Sequence, residues 1–143
     1  LAEAQRILTA TTALLEEQRE QVGAIRSVLR RTPSLPPMLD AEVQGLGDRL
    51  NELRRQVSGD ELLMNANEAG PMSIEERLSL ADLGTKFSTY GPTPNHQKAL
   101  ALGIAALEVV AQELGSIEES DLPRLHQALD AARAPWTPGR SPR

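Results

Sequence analysis

Apolar residues return at every third or fourth position through three stretches of this chain, a spacing that leaves few folds open. Leu1, Ala4, Leu8, Thr11, Leu15, Gln18, Val22, Ile25 and Leu29 form the first stripe. Leu39, Val43, Leu46, Leu50, Leu53 and Val57 form the second. Leu100, Ile104, Leu107, Ala111 and Leu114 form the third, which Leu122, Leu125, Leu129 and Ala132 extend. Residues at this spacing share one side of an α-helix, and that side must be buried against a neighbour. The pattern predicts an all-α fold, an elongated antiparallel helical bundle.

Composition sharpens the expectation. At 143 residues the chain suits a single core. Aromatic residues make up only 2% of it, with Phe87, Tyr90 and Trp136 the sole rings. A wide globular core usually draws on rings for their large buried area. A narrow seam between helices is filled by Leu, Ile, Val and Ala. Cysteine is absent, which excludes disulfides and thiolate metal sites. A net charge of -5 argues against nucleic acid as the main partner, since phosphate binding needs a concentrated positive surface. No uninterrupted apolar run approaches the roughly 20 residues that cross a bilayer, so no membrane span is expected. The chain starts at Leu1 with its stripe already in phase, as expected of a piece cut from a longer protein.

Punctuation residues set the boundaries. The first helix is expected over 1–31, with Arg26, Arg30 and Arg31 opposing the negative pole of its dipole. Thr32-Pro33 stops it. Ser34 is expected to cap a second helix, about 35–58, with Pro36 and Pro37 in its first turn. Gly45 and Gly47 within that helix either permit close backbone approach or weaken it. The connection over 59–72 reads as a segment packed on the bundle through Leu62, Leu63 and Met64. Ser73 and Glu76 have the spacing of a capping box and predict a short helix over about 73–88. Thr93-Pro94 opens the last long helix, 94–133, expected to kink near Pro123 rather than break there, because the apolar phase carries through. Residues 1–133 then form one bundle domain and 134–143 a Pro/Gly/Arg tail.

Catalytic chemistry finds little support in these residues. His96 and His126 are the only imidazoles and stand far apart, without partners at metal-ligand spacing; no metal site and no cofactor are expected. The adjacent acids Glu16-Glu17, Glu75-Glu76 and Glu118-Glu119 point about 100° apart on a helix and read as solvated faces. No nucleophile elbow or phosphate-binding glycine loop is present. No catalytic residue is therefore assigned. Tyr90, His96, Trp136 and Arg140 stand out as candidate interaction anchors, since a ring beside Arg is a common partner contact. The alternative for Trp136 is that it folds back and plugs one end of the bundle.

Several turn-like strings carry a family resemblance. They are Asn67 to Ile74 (NEAGPMSI), Tyr90 to His96 (YGPTPNH), Asp121-Leu122-Pro123, and Ala134 to Arg140 (APWTPGR). The chain resembles the C-terminal helical region of large bacterial BNR/Asp-box proteins, sortilin-like β-propellers often labelled glycosyl hydrolases. The resemblance implies that propeller blades lie upstream, that any hydrolase site belongs to them, and that the parent is exported to the periplasm or beyond the cell. Two roles follow as expectations. The first is a non-catalytic module that packs on the parent propeller or on a second copy of itself. The second is an accessory part of a hydrolase, glycosidase or peptidase-like, completed by upstream residues. A third, weaker option is a ligand-binding cavity near Gly45, Gly47 and Gly103.

Overall fold

Helix α1 runs from Ala2–Arg31 and α2 from Pro37–Ser58 in the computed structural model, which describes residues 1–59, 72–87 and 93–142. Helix α3 spans Ile74–Phe87 and α4 spans Pro94–Ser116. A π-helical turn, Ile117–Asp121, leads without interruption into α5, Leu122–Ala131. No strand occurs among the described residues, and the fold is an all-α helical bundle. The segment 60–71, with Leu62, Leu63 and Met64, lies outside the described residues, as does Tyr90.

The ends follow local chemistry. Ser73 and Glu76 close the capping box: the Glu76 N–H donates to Ser73 Oγ at 3.1 Å, and the Ser73 N–H donates to Glu76 Oε2 at 3.3 Å. Helix α2 begins two residues later than the Ser34 cap implied. A turn bonds Leu35 N–H to Thr32 O at 3.1 Å, and the helix starts with Pro37 at its first position, where no amide hydrogen is required. Helix α5 ends in a Schellman arrangement: the Ala134 N–H reaches Leu129 O at 2.9 Å and the Arg133 N–H reaches Asp130 O at 3.1 Å. Arg133 occupies the left-handed position there, at φ 56°.

The chain divides into two compact units. The first comprises residues 1–13 and 52–112. Here α3 and α4 pack antiparallel. A Cβ at Gly84 would lie 2.3 Å from the His96 ring, and a Cβ at Gly103 would lie 3.2 Å from Leu78 Cδ2. The two glycines thus mark successive close contacts along the pair. Leu53, Val57, Ile74, Leu78, Leu107 and Val110 are buried in this unit.

The second unit comprises residues 14–51 and 113–143. Its helices bury Leu15, Val22, Ile25, Val43, Leu46, Leu50, Leu114, Ile117, Leu125 and Leu129, each at 4% exposure or less. Full burial of such a side chain contributes about 1.5–3 kcal/mol. Every member of the second sequence stripe, Leu39 through Val57, is buried.

The third stripe needs a correction. On α4 the buried line is Ala99, Gly103, Leu107, Val110 and Leu114, while Leu100, Ile104 and Ala111 are only half-buried. Helix α4 carries Leu, Ile, Val or Ala on most of its circumference, so two phases compete. The one that wins includes Gly103, where Leu78 comes close. The π turn then adds a residue to one turn of helix. Ile117 and Leu122, five positions apart, are consequently both buried. The Leu122 N–H donates to Ile117 O across this wider turn.

Candidate functional site

A buried polar cluster organises the second unit around the π turn. Gln18, fully buried on α1, donates from Nε2 to Leu114 O at 2.9 Å and to Glu118 Oε2 at 3.1 Å. Its own Oε1 is buried without a hydrogen-bond partner, as is Nε2 of His126. Gly139, at φ 92°, lies against Gln21 and His126; a Cβ there would stand 2.7 Å from Gln21 Oε1 and 2.9 Å from His126 Cε1. Burial pushes the His126 imidazole below its ordinary pKa of 6.5, and the Arg140 guanidinium adds to that push; Asp130 and Glu118 pull the other way.

Arg140 departs from the expectation of a surface anchor. Its side chain is 4% exposed. The guanidinium donates to Asp130 Oδ1 at 2.7 and 2.9 Å, to Ala134 O at 3.1 Å, and also to Pro135 O and Thr137 Oγ1. Its fork of donors is turned inward, folding residues 132–140 back on themselves. Trp136 is tied to the fold by a hydrogen bond: Nε1–H donates to Arg140 O at 2.7 Å. The residue nevertheless stays 55% exposed.

His96 is held at the start of α4. Its Nδ1 accepts from the Thr93 N–H at 3.3 Å and lies 2.7 Å from Thr93 Oγ1, while its own N–H donates to Thr93 Oγ1 at 3.3 Å. The imidazole stands where a Glu or Gln stands in the usual capping box. Of the four expected anchors, then, Trp136 presents a ring to solvent, His96 caps a helix, Arg140 is internal and Tyr90 lies outside the described residues. His96 belongs to the first unit, Trp136 and Arg140 to the second.

An open groove of about 210 Å³ lies between α2 and the start of α5, lined by Glu42, Gly45, Leu46, Arg49, Asp121, Arg124 and Leu125. Asp121 binds Arg49 at 2.8 Å and meets Arg124 at 3.7 Å. The rim charges largely neutralise one another around an apolar floor. Among the described residues, no group of three His, Cys, Asp or Glu is arranged to hold a metal ion.

The outward side of α4 is a different kind of surface. Ala101, Leu102, Ala105 and Val109 are exposed there, Leu102 at 44% and Val109 at 55%. Ile7 and Leu83 add exposed apolar side chains to the same unit. The stretch Pro94–Ala131 is long and apolar enough to cross a membrane by length and composition alone, yet only 28% of its most apolar window is buried in the protein. Glu108, Gln112 and Glu113 interrupt every long apolar run in it while leaving the average hydropathy high. No family model, curated protein or solved structure matches this chain.

Proposed function

We propose that this chain is a non-catalytic helical assembly module, docking on an upstream β-propeller of its parent or on a second copy of itself. The observation that carries the reading is the outward apolar side of α4, where Leu102 and Val109 stand about half in water. A lone exposed leucine is ordinary, but apolar side chains aligned on one helix face mark an interaction surface. The inward turn of Arg140 and the capping role of His96 fit the same reading, since both spend polar groups on holding the scaffold. The resemblance to bacterial sortilin-like proteins supports the propeller as one partner and an exported parent. Coiled-coil pairing of helices supplies the mode of contact.

Sedimentation and light scattering test this proposal. The chain is measured alone over about a hundredfold range of concentration. It is then mixed with whatever segment its gene encodes ahead of Leu1. A complex in either experiment supports the module; a monomer in both overturns it.

A further inference from the structure

The outward side of α4 has a charge pattern that fits itself. At about 100° per residue, Lys98, Leu102, Ala105, Val109 and Glu113 lie within roughly a third of the helix circumference. All five are exposed. Lys98 heads the stripe, Glu113 closes it, and both belong to the same unbroken helix. Lys98 and Glu113 are equally distant in sequence from the midpoint between Ala105 and Ala106. So are Leu102 and Val109.

We infer that two copies of this chain pair antiparallel through α4, about a twofold axis passing beside Ala105. The inference rests on the assembly reading above and names its partner and register. The axis sets Leu102 of each copy against Val109 of the other, and Lys98 against Glu113. Both ion pairs form at once, because a twofold interface uses the same patch twice. Ala105 at the axis has only a methyl group, so the two backbones approach closely. A parallel pairing in the same register would instead set Lys98 on Lys98 and Glu113 on Glu113, which costs stability. An anionic membrane surface is disfavoured as well, since Glu113 balances Lys98 within the stripe and Glu108 stands exposed on the flank beside it.

Charge reversal reads the register directly. Wild type is expected to sediment as a dimer. Lys98→Glu and Glu113→Lys, each placing like charges together twice, are expected to weaken the dimer about tenfold apiece. The double variant restores opposite charges and is expected to return to wild-type dissociation. The chain has no cysteine, so Ala105→Cys gives a single thiol, expected to form a disulfide-linked dimer on mild oxidation; Gln5→Cys, exposed on α1, is expected not to. A dimer indifferent to these changes overturns the α4 pairing while leaving the assembly reading in place. A wild-type monomer that partitions into phosphatidylcholine vesicles overturns it in favour of lipid. A monomer that binds neither vesicles nor its parent's upstream segment removes both readings.

Discussion

The His96 ring lies where a side chain at Gly84 would have to go. With a Cβ at 2.3 Å from the ring, Gly84→Ala cannot be accommodated without moving His96 off Thr93. A loss of about 1–3 kcal/mol is expected from overpacking together with a lost cap, read as a lower denaturant midpoint. Arg133 makes the opposite case. It holds φ 56° at the end of α5, a conformation that a side chain resists and glycine does not. Arg133→Gly is therefore expected to stabilise the chain by about 1 kcal/mol, seen as a raised melting temperature. Neither residue announces itself in the sequence. Gly84 sits in an ordinary helical pattern, and Arg133 sits where glycine is the usual signal. Ser73, by contrast, was legible because its partner Glu76 is local. The internal place of Arg140 is not legible in the sequence, because its acceptors Asp130 and the Ala134 and Pro135 carbonyls converge only once the segment folds back.

Helix boundaries were legible, and helix faces less so. Proline and serine punctuation located the described helices to within two residues, because capping is decided by the few residues at each end. The side of α4 that faces inward depends on where Leu78 and Gly103 meet, which no periodicity within α4 encodes. The π turn is a further case. Pro123 has no N–H to give, and in a regular α-helix its ring would crowd the carbonyl of the residue four earlier. Widening the turn just ahead of it relieves that crowding and lets the helix continue. Gln18 also takes hold of the Leu114 carbonyl one turn before. Since the wide turn already accommodates the ring, Pro123→Ala is expected to change stability by less than about 1 kcal/mol. A proline in a regular helix interior costs about 3 kcal/mol. Paired chemical denaturation curves of the two proteins decide between these values.

Acid sensitivity arises above the scale of one element, because the residues acting on His126 come from the π turn, from α5 and from the segment that follows it. Its folded-state pKa is depressed by burial and by Arg140, against the opposing pull of Asp130 and Glu118. The unfolded chain takes up this proton near 6.5, and the folded chain only at lower pH. Stability from this residue is complete above that value and is lost as pH falls from it toward the folded pKa. Melting temperatures on either side of this point should fall more steeply for wild type than for His126→Gln, which cannot titrate. The all-α class was legible from the stripes, since burying a helical face needs only helical neighbours. The polar cluster was not, since Gln18 occupies an apolar register position and His126 has no ligand-spaced partner. Trp136 has one further consequence. It is the chain's lone indole, and its nitrogen is tied to the Arg140 carbonyl while the residue is half in water. Intrinsic fluorescence of this protein is therefore a local gauge: its emission reports the seating or release of the segment around Trp136 and Arg140 rather than the melting of the leucine seams.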